Sequence, residues 1–208
     1  LEFFKKRFRT FSLNHAYTSS YNVGGYQRSK QAIDTFDISS RISPEYIIPQ
    51  VSISERFSPL INVDMTWKNS LLTRVEVRKD RTLTLSTTNG QITEIKNLEF
   101  VVGSGYTVKQ LKLPWTLQGQ TLQSDLTLRL DFSVRNSQTQ IYRIVQNDSE
   151  PTGGQLVYTL KFTGDYQLTK ALTLRLFYDW VSNEPKISNA FRTSNTNAGF
   201  SLRFSLSG

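Results

Sequence analysis

The sequence contains no cysteine, a single histidine (His15) and a single methionine. Without thiols there is no disulfide framework, no thiolate metal site and no cysteine nucleophile. With one imidazole, neither a histidine-built metal site nor a nucleophile–base–orienter set assembles. No enzyme, cofactor or metal is therefore expected. Runs of about 18 apolar residues are also missing, which excludes a transmembrane helix but not a strand-built membrane protein. The opening Leu1-Glu2-Phe3-Phe4-Lys5-Lys6-Arg7 has neither a starting Met nor an apolar signal core. The numbering is thus expected to begin inside a longer or processed chain. The 208 residues amount to one domain or a piece of one.

Charge comes next. Lys and Arg number 25 against 17 Asp and Glu, a net +8. A nucleic-acid footprint is a basic patch or stripe, and Lys5-Lys6-Arg7-Phe8-Arg9 is the only dense basic run. The other charges alternate in sign, so no nucleic-acid partner is expected. The mean hydropathy of −0.38 fits a soluble protein and equally fits strands with one oily and one polar face.

What the sequence does have is period two. Leu172, Leu174, Leu176, Tyr178 and Trp180 share one face, against Thr173, Arg175 and Asp179; only Phe177 spoils the polar side. Leu156, Tyr158, Leu160, Phe162 and Tyr166 oppose Thr159, Lys161, Thr163 and Asp165. Leu126 to Val134 and Ala198 to Leu206 alternate in the same way. Between Val51 and Trp67 the apolar frame stays on odd numbers through Pro59. A two-residue hairpin at Ser58-Pro59 would move that frame to even numbers, so one long strand with a bulge is expected. From Leu71 to Thr87 the frame is interrupted by Lys79 and Arg81, which places them above the oily zone, against a partner, or at a bulge between Val77 and Leu83.

About eight antiparallel strands follow, near 9–22, 47–67, 71–87, 97–109, 124–145, 154–167, 171–181 and 194–206. Short connections are expected at Lys68-Asn69-Ser70 and Leu168-Thr169-Lys170. Long polar ones are expected at Val23–Tyr46, Thr88–Lys96, Gln146–Gly153 and Ser182–Thr193, with Gln110–Gln123 long where a short turn is due.

Alternating strands admit two assignments. In a soluble sandwich the apolar faces pack together; in a membrane barrel they meet lipid while the polar faces line a lumen. Strand length favours the barrel, since about ten residues at ~3.4 Å, tilted near 45°, cross an oily band of roughly 25 Å. So do the alternating connection lengths and the aromatics near strand ends: Trp67, Tyr106, Tyr166 and Phe204 towards one rim, Tyr158, Tyr178 and Trp180 towards the other. The closing strand, with Asn197, Gly199, Leu202 and Phe204, resembles the β-signal by which outer-membrane barrels are recognised for assembly.

Several segments together resemble one family. They are Ser43-Pro44-Glu45-Tyr46, Val51-Ser52-Ile53-Ser54-Glu55-Arg56-Phe57-Ser58-Pro59-Leu60-Ile61, Leu174-Arg175-Leu176-Phe177-Tyr178-Asp179, and Thr193 to Phe204. They are similar to the C-terminal region of the SprA/Sov family, the outer-membrane translocon of the type IX secretion system. The resemblance implies an all-β chain of antiparallel transmembrane barrel strands forming part of a much larger barrel. It further implies passage of folded cargo proteins from the periplasm to the cell surface of a Gram-negative bacterium. Outer-membrane lipid, a PorV-type shuttle barrel and a periplasmic plug protein are the implied partners. Eight strands enclose a lumen that side chains fill, so transport needs further strands. A stand-alone porin or adhesin barrel and a soluble β-sandwich binding module remain the alternatives.

Under the barrel assignment the lumen-lining residues are Arg129, Asp131, Lys161, Asp165, Arg175, Asp179 and Arg203, with Arg74, Glu76 and Arg78 on the corresponding face of their strand. Such residues form either a hydrated wall over which cargo slides or cross-strand pairs that merely satisfy one another. His15 reads as a packing or interfacial residue.

Overall fold

The computed structural model describes residues 2–28, 46–117, 120–169, 171–187 and 190–205. After a short helix α1 (Glu2–Arg7) come β1 (Phe8–Asn14), β2 (Tyr17–Gly24), β3 (Gln27–Arg28), β4 (Tyr46–Ile47), β5 (Gln50–Trp67) and β6 (Leu72–Ser86). They are followed by β7 (Gln91–Leu117), β8 (Gln120–Arg143), β9 (Asp148–Gln167), β10 (Leu172–Pro185) and β11 (Thr193–Phe204). The protein is all-β and antiparallel. From β5 to β11 every strand pairs with its neighbour in sequence, while β1 and β2 lie end to end along the free side of β5. The small β3–β4 ribbon stands apart from this sheet. Ser43, Pro44, Glu45 and Leu206 lie outside the described residues.

Short turns make a meander the simplest arrangement of period-two segments. At the first rim, Ser70 takes a left-handed φ of 67° and the Asn69 side chain accepts a hydrogen bond from Leu71 N. Thr169 Oγ1 accepts from Leu172 N in the same way. The expected long connections at Thr88–Lys96 and Gln146–Gly153 are not loops. Gln91 already pairs with Ser86, and Asp148 with Arg143, so each closes in a tight turn carrying Gly90 (φ 60°) or Asn147 (φ 51°). Strand β10 likewise runs on to Pro185. The Gln110–Gln123 stretch is mostly ladder too, offset by register shifts after Val108 and Lys112. There the left-handed Gln110 donates its N–H to Asp125 Oδ1. These three connections therefore differ in hairpin height rather than loop length, while residues 29–45 of the expected Val23–Tyr46 connection lie outside the described residues. Near the hairpin tips polar residues such as Arg81, Glu94 and Lys96 interrupt the apolar face, which hides the start of β7 from a reading of apolar alternation.

The long Pro59 strand is as expected. Phe57 pairs with Lys79 and Ile61 with Val77, so three residues of β5 stand opposite Arg78 alone. Two extra residues preserve parity, and the apolar frame keeps its face through the irregularity. β6 itself pairs with β7 from Leu72 to Ser86 without a shift, so no bulge separates Val77 from Leu83. Opposite the bulge, the edge expected as one strand (9–22) breaks at His15-Ala16. Ala16 N donates to Pro59 O, and His15 Nδ1 lies 2.6 Å from Leu60 O.

The sheet is a single layer. Among the described residues the only buried hydrophobic side chain is Tyr166, while Asn62, Glu76, Glu94 and Ser182 are buried. Large apolar residues such as Phe100, Phe132, Leu176 and Phe200 are exposed. The accessible surface of 15517 Å² compares with roughly 9,900 Å² for a compact chain of this size.

Candidate functional site

Register assigns each side chain to one of two faces. On the polar face, one row passes from Asp64 through Arg74, Gly103, Asp131, Lys161 and Asp179 to Asn197, crossing from β5 to β11 with its charges alternating in sign. This is why neighbouring like charges do not repel across the strands.

Towards the β5 side the row is tied into a network. Glu76, 3% exposed, is held between two guanidinium groups of its own strand: Arg78 Nε stands 2.7 Å from Oε1, and Arg74 donates to Oε2. Arg78 reaches on to Glu99 at 3.2 Å, while Arg74 Nε donates to Asn62 Oδ1 and Asn62 to Asp64. Residues two apart on a strand share a face, so this spacing on β6 makes the bonds geometrically natural. A carboxylate so buried would be strongly destabilising unpaired; two arginines and their forked donors compensate it.

All seven expected lumen-lining residues lie on this face. Asp165 and Arg175 form a two-bond pair, with Arg175 Nε 2.6 Å from Oδ1 and its second nitrogen 3.1 Å from Oδ2. Arg129, Asp131, Lys161, Asp179 and Arg203 have no ion pair among the described residues, although register sets Lys161 beside both aspartates. Between them, Gly103 and Gly105 floor a cleft of about 340 Å³ walled by Arg74, Arg129 and Asp131. The Asp131 carboxylate leans across Gly103, where a Cβ would meet Oδ1 at 2.5 Å. The face is thus a wall of charges of both signs, paired towards β5 and β6 and largely unshared from Arg129 to Arg203, over a glycine floor, suited to holding water and passing polar surfaces.

Of the expected assembly residues, Asn197 faces Asp179 and Gly199 faces Phe177 on the polar side, whereas Leu202 and Phe204 lie on the apolar side opposite Leu174 and Leu172. β11 carries them at one edge of the sheet. β1 and β2 form the other edge, and the two edges do not pair with each other among the described residues.

The apolar face is a slanted band. A register row runs Val75, Val102, Phe132, Leu160, Trp180. Val75 sits mid-band on β6, yet the middle of the apolar run on β10 is Leu176, not Trp180. The band therefore slides about one residue per strand, which at ~3.3 Å rise and ~4.8 Å spacing is a tilt of roughly 35°. At the first rim it ends in rings: Phe8 packs on Trp67 at 4.5 Å, and Phe4 of α1 on Phe11 at 5.0 Å.

Above the band on β5–β8, the same face turns polar. Arg81 Nε donates to Glu94 Oε1 at 2.6 Å, Lys96 Nζ stands 2.7 Å from Oε2, and the Tyr142 hydroxyl donates to Oε2 at 2.9 Å. Glu55 joins through Arg81 at 3.8 Å and through the Tyr17 hydroxyl. Glu94 is 2% exposed. Burial pushes its carboxyl up, but the bonds from Lys96, Arg81 and Tyr142 outweigh it and hold the group below its ordinary value. Sequence reasoning missed this cluster because Glu94 and Lys96 fell in an expected loop; the lone signal was the misplaced pair Lys79 and Arg81. Asn62, Asp64 and Glu99 were missed for a simpler reason, being single polar residues in otherwise ordinary alternation.

No protein-family model matches the chain, and no curated protein matches it.

Proposed function

We propose that this chain is a sector of a transmembrane β-barrel in the outer membrane of a Gram-negative bacterium, with the apolar band in lipid and the charged face towards a water-filled lumen. One observation carries the reading: the layer is inside out, its apolar residues exposed in a continuous band and its buried groups nearly all polar. A soluble sandwich needs a second layer to cover such a face; lipid covers it without one. The slant of roughly 35° agrees with strand tilts in closed barrels, and the Phe8–Trp67 cluster agrees with an aromatic girdle.

The lumen passes folded cargo proteins out of the periplasm as part of a type IX translocon, in keeping with the resemblance to the SprA/Sov family. The two edges, unpaired with each other among the described residues, support a sector rather than a small closed barrel, because open edges in lipid leave backbone groups unsatisfied. Further strands complete a lumen wide enough for protein. On this reading the chain is a conduit, not a catalyst, and a PorV-type barrel and a plug protein are its partners. The test is genetic. A host lacking this segment accumulates secreted cargo in the periplasm, and undiminished delivery to the surface overturns the proposal.

A further inference from the structure

The border between the apolar band and the Glu94 cluster holds a cleft of about 670 Å³. Its lower wall is Val77, Leu98 and Phe100; its upper wall is Lys79, Arg81 and Lys96. The Pro59 bulge brings Leu60 to its side. Arg81 and Lys96 share Glu94, and Arg81 also faces Glu55. Lys79 has no ion-pair partner among the described residues. Register sets it between Phe57 and Leu98, both apolar. Nearby, Lys186 Nζ donates to Asn136 Oδ1, which also lines the cleft, bringing a fourth cation to the same border. Asp80, which also lines the cleft, faces Arg56, so against Lys79, Arg81, Lys96 and Lys186 the carboxylates Glu55, Glu94 and Asp80 still leave cations in excess.

From this we infer that the cleft binds a phosphate-bearing lipid, its headgroup among Lys79, Arg81 and Lys96 and its acyl chains along Val77, Leu98 and Phe100. An amphiphile is the one ligand class that uses both walls at once. A phosphate takes the amine that the protein leaves unpaired, and charge-assisted bonds to it are the stronger kind. Apolar residues directly below match chains that descend into the bilayer. The inference rests on the membrane reading above, which supplies lipid on this side of the sheet.

The absence of native cysteine permits a clean test. The barrel that contains this chain, freed of any cysteine outside it and carrying a single fluorophore on Leu98→Cys or on Phe132→Cys, is reconstituted into phosphatidylcholine vesicles. Brominated phosphatidic acid or brominated phosphatidylcholine is then added as quencher. Position 132 lies mid-band and is quenched by both lipids alike. At position 98, phosphatidic acid quenches at several-fold lower mole fraction than phosphatidylcholine, and Lys79→Gln reduces that preference about fivefold while leaving quenching at 132 unchanged. Equal quenching at 98 by the two lipids, or no effect of Lys79→Gln, overturns the lipid site and leaves the membrane reading standing. Loss of the preference in millimolar inorganic phosphate overturns it too, by showing a site for the free anion. No quenching at 132 by either lipid overturns both.

Discussion

The ring of Phe177 lies against Gly199 of the neighbouring strand, its register partner: a Cβ at 199 would stand 2.9 Å from the ring's Cζ. Phe177 is an apolar residue on the polar face of β10, between Arg175 and Asp179, and Gly199 is the residue of β11 without a side chain on that face. Each accounts for the other, since the ring covers backbone that glycine leaves bare. Gly199→Ala is expected to destabilise by about 1–3 kcal/mol through overpacking. In a Phe177→Ala background the same change becomes neutral or slightly favourable, because alanine suits a strand better than glycine. Urea unfolding in detergent, run as a double-mutant cycle, reads the coupling; additive effects would show that the two do not touch.

Single cysteines at Leu174 and Arg175 test the facing of the strands. Adjacent strand residues point to opposite sides, so a membrane-impermeant thiol reagent labels Arg175→Cys readily and Leu174→Cys poorly. Equal labelling at 174 would show that the even-numbered face of β10 does not meet lipid.

Glu94 makes stability depend on acid. Its carboxyl titrates lower when folded than when unfolded, so its stabilising contribution is complete above the ordinary carboxylate pKa of roughly 4.3. That contribution fades as the pH drops through the lower folded value. Glu94→Gln should cost on the order of 1.5–3 kcal/mol near neutral pH, and the gap to the native protein should narrow below about pH 4. A gap that stayed constant down to pH 3 would remove the charged network as the cause.

Phe204→Asp separates assembly from stability. Phe204 is 65% exposed at the first rim, opposite Leu172. A carboxylate near the interface costs only about 0–1 kcal/mol in a folded barrel, so refolded protein should be nearly as stable as the native form. If Asn197, Gly199, Leu202 and Phe204 are an assembly signal, outer-membrane levels in the cell fall far more than that figure implies. Normal levels would remove the signal assignment.

How much of this was legible depended on which face of a strand meets something apolar. β9 from 154 on, β10 and β11 could be read residue by residue because Leu156–Tyr166, Leu172–Trp180 and Ala198–Phe204 keep their apolar frame on even numbers, with only Val157 and Phe177 straying to the other side. The Pro59 bulge was legible for a subtler reason: two extra residues leave parity intact, so an unbroken odd frame excluded a hairpin. The upper end of β7 was not, because Glu94 and Lys96 put polar groups on the face that is oily lower down, although the adjoining ends of β6 and β8 fell inside the expected strands 71–87 and 124–145. Lys79 and Arg81 were visible as misfits, but their partners came from a neighbouring strand assigned to loop. The break at His15-Ala16 could not be seen at all, since it answers a bulge more than forty residues away.

The central claim is that the sheet is one sector of a wider barrel, so the two edges meet other strands and not each other. Cysteine cross-linking in the membrane tests it directly, with one cysteine at Leu202 and the second walked from Phe11 to Tyr21 along the opposite edge. Leu174→Cys with Leu202→Cys serves as the positive control, being register partners, and should form a disulfide. The account predicts no cross-link from Leu202 to any position between 11 and 21. Efficient cross-linking there would mean an eight-stranded barrel closed on itself, too narrow to conduct a protein.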